Sequence, residues 1–415
     1  VSLWYTSPYT AGGVEKAHVV LGDFAKTELL DARTGEGTVT LEIDVRDMAS
    51  YDYSDANGNG ERTYELDAGE YTVYIGDDAH CWADPSTDKC TYTVPEGGFV
   101  YDTTEEGNPV GNLFDDVSGH ITEYLSREDD FANFGCLAGA EQLAYRTVSE
   151  EFVTGAVAVP GDGKDMPWYT EDMPDQSSEV LSYDDTALKL YDMIGLDYGD
   201  GKWEEFMDQL TVEQMVGLIR SGNFHSEPID NIDKPLTIDA DGPMGFALFM
   251  GDDAVYDTCY YASECVLAAT FNKDLAYEMG KMVGNEGLIG NERDGNERDG
   301  STPYSGWYAP AMNIHRSPFG GRNFEYYSED GYLSGVMASN VAKAAKQKGL
   351  YTFAKHFALN EQETKRDYTG LVTWANEQSM REIYFKPFEM SVKDGGITAL
   401  MTAFNRIGVT WTGGS

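Results

Sequence analysis

Apolar positions along the chain follow two rhythms, and the change between them divides it. Up to about residue 97 they alternate with polar ones, as in Thr38-Val39-Thr40-Leu41-Glu42-Ile43-Asp44-Val45 and Gly69-Glu70-Tyr71-Thr72-Val73-Tyr74-Ile75-Gly76, with Gly, Asp and Asn between the runs. A period of two puts alternate side chains on opposite faces of a strand, so residues 1–97 are expected to fold as an all-β sandwich. From about residue 201 the rhythm becomes short apolar runs separated by longer amphipathic ones. Strands are expected at 236–238, 308–314, 350–354 and 397–404, with helices at 333–348 and 376–393 between them. Strand, helix, strand succession argues for a parallel α/β barrel of the TIM type over 201–415. The barrel opens with a helix signal at Thr211-Val212-Glu213-Gln214, where Thr211 caps and Gln214 closes a capping box, with Met215, Val216 and Ile219 placed on one face. Pro387 should kink the second helix or remove one of its bonds. Residues 98–200 mix acidic, Gly and Pro segments with short helical stretches such as 184–194, and read as an interdomain connection.

Composition narrows the class. The 415 residues are 41% hydrophobic and 13% aromatic, which suits packed cores rather than disorder. The formal charge of -43 excludes nucleic acid and anionic membranes as partners, because such surfaces repel it, while a neutral ligand is indifferent to it. No run of 18 apolar residues marks a membrane span. Cys81, Cys90, Cys136, Cys259 and Cys265 are sparse and odd in number; Cys81 and Cys90 could pair across a loop, but free thiols are the better reading.

Several motif-like stretches carry less than they suggest. Asp55-Ala56-Asn57-Gly58-Asn59-Gly60 matches the first half of a calcium loop, yet Leu66 stands where the closing Glu belongs, so a hairpin turn is expected. Gly161-Asp162-Gly163-Lys164-Asp165 ends in Asp where a phosphate loop needs Ser or Thr. Asn291-Glu292-Arg293-Asp294-Gly295 repeats at once as Asn296-Glu297-Arg298-Asp299-Gly300, which reads as a duplication in a surface loop. His18, His80, His120, His225 and His315 lack zinc-like spacing and are taken as surface or packing residues, with His315 a candidate to support a site beside Arg316. No metal or cofactor is expected.

The candidate chemistry lies where apolar runs end. Tyr351 to Ala354 leads into Lys355-His356-Phe357-Ala358-Leu359-Asn360-Glu361-Gln362-Glu363-Thr364-Lys365-Arg366, and 308–314 leads into His315-Arg316-Ser317-Pro318-Phe319-Gly320-Gly321-Arg322-Asn323-Phe324-Glu325. In parallel α/β folds that strand edge holds the active site, and cations and polar groups fixed there suit a neutral polyol. These two stretches, with Asp241-Gly242-Pro243-Met244-Gly245 and Met401-Thr402-Ala403-Phe404-Asn405-Arg406-Ile407-Gly408, resemble glycoside hydrolase family 3, the β-glucosidases.

The resemblance implies that Asp241 accepts hydrogen bonds from hydroxyls of the terminal sugar, and that Arg322, Lys355, His356 and Arg366 donate to the same sugar. Phe404 joins this substrate-binding set where many members carry tyrosine, and Ala247 stands where many carry a further arginine. It implies a retaining exo-acting β-glucosidase whose two carboxyl groups, about 5 to 5.5 Å apart, carry a double displacement. The resemblance puts the aspartate nucleophile shortly after Ser415 and the glutamate acid/base upstream of Val1, so no catalytic residue is expected within this chain, an internal piece with its barrel incomplete. It further likens residues 1–97, which include Gly22-Asp23-Phe24-Ala25-Lys26-Thr27, to a fibronectin type III-like sandwich placed, in permuted order, before the barrel. Ala358-Leu359 after the Lys-His-Phe favours the glucosidase and xylosidase branch. The expected partner is a β-glucoside or oligosaccharide, with homo-oligomers left open and a cytoplasmic setting favoured over a secreted one. A noncatalytic carbohydrate-binding or adhesion protein reusing both folds is the alternative.

Overall fold

The computed structural model describes residues 1–121, 124–132, 187–222, 224–247, 258–290, 304–366 and 370–414. Its first part is two antiparallel sheets. One pairs β1 (Ser2–Thr6), β2 (Val20–Phe24), β5 (Gly69–Gly76) and β6 (Asp88–Val94) in the order β2-β1-β5-β6. The other pairs β3 (Ser50–Tyr51), β4 (Tyr64–Leu66) and β7 (Phe99–Tyr101). Tyr5, Met48, Leu66, Tyr71 and Val94 are buried between them. The second sheet thus takes in residues beyond 97.

Alternation located β5 but misled at 38–45. There Val39, Leu41 and Ile43 are less exposed than the polar residues between them, as a strand requires, yet the segment joins no ladder. The Glu42 N–H is instead taken by the Asp23 carboxylate at 2.9 Å, and Val45 enters a short 3-10 turn, Val45–Met48, capped by Asp44. Asp55–Gly60 joins β3 to β4 as a turn, with the Gly60 N–H on Asp55 at 3.0 Å and the Asn59 amide on Glu65 at 3.0 Å. Among the described residues no group of three His, Cys, Asp or Glu side chains is placed to hold a metal.

The second part is built on a five-stranded sheet of β8 (His225–Ser226), β9 (Thr237–Asp241), β10 (Gly306–Tyr308), β11 (Tyr351–Phe357) and β13 (Ala399–Thr402), in the order β13-β11-β10-β9-β8. β9, β10, β11 and β13 run parallel, and β8 is antiparallel to β9. Helices α1 (Lys273–Ile289), α2 (Gly331–Lys346) and α3 (Lys386–Lys393) fill the crossovers, which is the β/α succession of a barrel wall. Asn272 caps α1 and Asp330 caps α2, each accepting an N–H of the first turn. Apolar faces of α1 and α2, with Met279, Val283, Met337 and Ala342, bury Trp307 and Ala354 of the strands and Leu350 just before β11. No helix of the described residues is long and apolar enough to cross a membrane.

Three expectations shift for identifiable reasons. The run 308–314 stops pairing as a strand at Tyr308, because Pro310 has no N–H to give; an isolated bridge at Ala311 continues the contact with Lys355. The helix over 376–393 breaks into Glu377–Ser379, a π turn at Met380–Tyr384 closed by Phe385 N–H to the Met380 carbonyl at 2.7 Å, and α3, with Pro387 at its first turn. The Thr211 capping box forms as expected, but Val216 and Ile219 of that helix, Val212–Arg220, are exposed; Met215 and Leu218 are the residues that pack, against Met193, Phe206 and Ile232. Of the stretch 184–194 the described part holds only the 3-10 turn Leu190–Met193.

The described cysteines are free thiols, Cys81 buried and Cys90 exposed. Cys136, the 161–165 segment and the 291–300 repeat lie outside the described residues.

The two parts touch closely. Leu21 and Phe24 of β2 enter the core shared by α1 and α2, and the Asp23 carboxylate pairs with Lys273 at 2.7 Å. At the π turn, Glu382 accepts the Tyr51 N–H while the Arg381 guanidinium lies 4.4 Å over the Tyr51 ring.

Candidate functional site

The carboxyl ends of β9, β10, β11 and β13 carry the polar residues named from the sequence. Asp241 is the last residue of β9. Its backbone N–H and C=O both pair with Ala247 at 2.8 Å, which folds 242–246 into a tight loop. Only glycine fits at 242, since a Cβ there would meet the Trp307 indole nitrogen at 2.3 Å. That indole reaches across to the Gly245 carbonyl at 3.1 Å and pins the loop. One oxygen of Asp241, Oδ1, accepts the Gly242 N–H and the Lys355 ammonium, each at 2.8 Å. Its Oδ2 takes no hydrogen bond from the described residues, and the side chain keeps 26% exposure.

Lys355, on β11, is 1% exposed. An isolated ammonium buried this deeply would cost several kcal/mol, so its acceptors are obligatory. They are Asp241 Oδ1, the Gly242 carbonyl at 3.0 Å and Glu325 Oε2 at 3.6 Å. Arg322, in the loop after β10, gives its Nε to the other oxygen of Glu325. The loop is held by His315, whose Nε2 lies 2.9 Å from the Asn323 carbonyl and 2.8 Å from that of Tyr326. His315 thus supports the segment that presents Arg322.

His356 follows Lys355 and is buried. Asn313 grips its backbone on both sides, accepting its N–H at 2.8 Å and donating to its C=O at 3.0 Å. Burial, then the nearby charges of Arg322, Lys355 and Arg366, hold its pKa well below the ordinary value, so the ring is neutral. Tyr326 OH lies 3.4 Å from its Nδ1, and Asn360 donates to that hydroxyl at 3.1 Å. Arg366, in the loop after β11, pairs with Glu363 at 3.0 Å and lies 4.9 Å over the ring of Phe404, which follows β13. All six residues named from the sequence therefore sit at one edge of the sheet. Lys355, Asp241 and Arg322 form one ion cluster through Glu325, and Arg366 and Phe404 form a second contact beside it.

Sequence reading missed the supports. Glu325 and Glu363 each stand three residues from the arginine they pair with, a spacing that could have flagged them. Glu264 had no signal at all. It is fully buried, takes the Ala311 N–H at 3.0 Å, and burial pushes its pKa far above the usual carboxylate range, so it is the neutral acid beside a charged cluster. An open carboxylate oxygen, a neutral imidazole and guanidinium groups on rigid strand ends form a donor and acceptor set for a polyhydroxyl ligand.

Residues 235–410 match the glycosyl hydrolase family 3 N-terminal domain. A β-glucosidase of Ruminococcus albus is 30% identical over 415 aligned residues, covering 96% of this chain and 38% of that protein. β-Glucosidase A of Butyrivibrio fibrisolvens is 27% identical, covering 98% of this chain and 45% of that protein. Among solved structures, a β-glucosidase from Paenibacillus barengoltzii superposes with a TM-score of 0.65 at 26% identity, over 99% of this chain and 41% of that one. The chain spans less than half the length of each of these relatives. With the match running across the very strands that carry the polar cluster, residues 235–410 are a glycosyl hydrolase family 3 N-terminal domain.

Proposed function

We propose that the chain supplies the terminal-sugar subsite of a retaining exo-acting β-glucosidase, with a neutral β-glucoside or oligosaccharide as substrate. In this reading Asp241 Oδ2 accepts from sugar hydroxyls, while Arg322, Lys355, His356 and Arg366 donate and Phe404 lines the site. The observation that carries it is the pair that buried Lys355 makes with the partly exposed Asp241 at the ends of β11 and β9, which engages one carboxylate oxygen and leaves the other without a partner among the described residues. Hydrogen bonds to a sugar ring strengthen as it flattens toward an oxocarbenium-like transition state, so such a clamp supports turnover as well as binding.

Of the described carboxylates at this edge, Asp241 and Glu325 each give an oxygen to Lys355 and Glu363 pairs with Arg366, so the role of these three in this reading is to bind rather than to attack. That engagement is also what a noncatalytic carbohydrate-binding protein would need. The sandwich before the barrel is read as a fibronectin type III-like scaffold, supported by its two antiparallel sheets.

Calorimetric titration of the chain with D-glucose tests the sugar site. Binding by the wild type, weakened about tenfold or more in Asp241→Ala, is expected, because a charged acceptor to a hydroxyl is worth roughly 1.5–3 kcal/mol. Unchanged binding in Asp241→Ala would remove that residue from the site.

A further inference from the structure

Two cations, the buried Lys355 and the half-buried Arg322, stand in the candidate site, and one carboxylate serves both. Lys355 arrives on β11 and Arg322 on the loop after β10, and Glu325, 3% exposed, meets Arg322 Nε with Oε1 and lies 3.6 Å from Lys355 Nζ with Oε2. Glu264, buried nearby, cannot share this duty while it is neutral; its Oε1 is committed to the Ala311 N–H. We propose that Glu325 is a positioning residue that holds Lys355 and Arg322 by its charge, and thereby keeps Asp241 available to a sugar it never touches itself. This rests on the sugar-binding reading above.

The reasoning follows from what Lys355 would do without it. Its remaining partners would be Asp241 and the Gly242 carbonyl, so Asp241 would become its only anion. A buried ammonium draws in whatever counter-charge is left, and the side chain of Asp241, 26% exposed, has room to follow. The second Asp241 oxygen, without a partner among the described residues, would then be drawn onto Lys355. Arg322 would lose its ion pair in the same step, and its guanidinium would leave the place where it can donate. One residue behind the site therefore sets the geometry of three in front of it.

A residue that acts by charge and one that fills space answer oppositely to two substitutions. Glu325→Gln keeps the shape and removes the charge, whereas Glu325→Asp keeps the charge and loses a methylene. The test is calorimetric titration of the 415-residue chain with D-glucose, for wild type and both variants, each first matched to the wild-type circular dichroism spectrum. The expected result is a Kd raised about tenfold or more in Glu325→Gln and by less than about threefold in Glu325→Asp. Glu325→Gln within about twofold of wild type, or Glu325→Asp binding more weakly than Glu325→Gln, would overturn the inference while leaving the sugar site intact. A wild-type chain that does not bind D-glucose would overturn the sugar-binding reading, and this inference with it.

Should Glu325→Gln lose the native spectrum, the double variant Arg322→Gln/Glu325→Gln removes one cation together with the anion. It should bind about threefold or more weakly than Arg322→Gln alone, because Lys355 is still left with Asp241 as its only anion. Binding equal to that of Arg322→Gln would overturn the role of Glu325 at Lys355.

Discussion

Asn313 shows how much of the site depends on a residue that never faces the opening. From the segment after β10 it satisfies both the N–H and the C=O of His356 on β11, at 2.8 and 3.0 Å. Asn313→Ala would leave two buried backbone groups without partners, each costing roughly 1–3 kcal/mol. The urea midpoint, followed by tryptophan fluorescence, should fall clearly, and an unchanged midpoint would mean that water replaces the amide. Lys355 and His356 were legible in the sequence as polar residues just past the apolar run 351–354, while the roles of Asp241, Arg322 and Arg366 came from the family resemblance of the segments that carry them. Asn313, Tyr326, Asn360 and Glu264 were not, because their role comes from contacts such as Asn313 to His356 and Glu264 to Ala311, made across strand and helix packing far apart in sequence. An asparagine at a strand end looks the same in sequence whether it grips a neighbouring backbone or water.

At the scale of elements, two glycines in helices show that the same residue has opposite uses. A Cβ at Gly280 on α1 would lie 2.1 Å from the Val341 carbonyl on α2, so this glycine is what lets the two helices approach. Gly217, within the Val212–Arg220 helix, has nothing within 4 Å. Gly280→Ala should lower the stability by about 1–3 kcal/mol through overpacking. Gly217→Ala should raise it by roughly 0.5–1 kcal/mol through helix propensity alone. Thermal midpoints moving in opposite directions would bear this out; a shared direction would refute the packing described for α1 and α2.

The element pattern itself was largely legible from periodicity, since β5, β9, β11, β13 and α2 fall where apolar spacing puts them. What periodicity could not see was hydrogen bonding. Residues 38–45 have the alternation of a strand and no ladder partner, and 308–314 has the apolar run of a strand that Pro310 cuts short. Pro387 is expected to kink the helix or remove one of its bonds, and the chain answers with a π turn one step earlier and Pro387 in the first turn of α3.

Across the whole molecule, the sandwich and the five-stranded sheet are joined by buried polar contacts as well as by the apolar contact of Leu21 and Phe24. Glu382 takes the Tyr51 N–H and the Gln378 amide, with Lys16 and Lys386 nearby, and burial pushes its pKa up to about 7. A carboxyl whose folded pKa is raised adds stability that is full below the unfolded value of about 4.3 and is lost as pH rises through about 7. Glu382→Gln removes that dependence, so wild type should lose stability relative to the variant between pH 5 and pH 8. Parallel stability curves over that range, from urea denaturation at each pH, would exclude Glu382 as the titrating group.

The central claim is that the cluster at the ends of β9, β10, β11 and β13 holds one neutral sugar. A crystal structure of the chain with D-glucose measures this most directly. The sugar should lie within hydrogen-bond distance of Asp241 Oδ2 and of at least two of Arg322, Lys355, His356 and Arg366, with Glu325 still between Arg322 and Lys355. A sugar bound elsewhere, with Asp241 Oδ2 open to water, would contradict it.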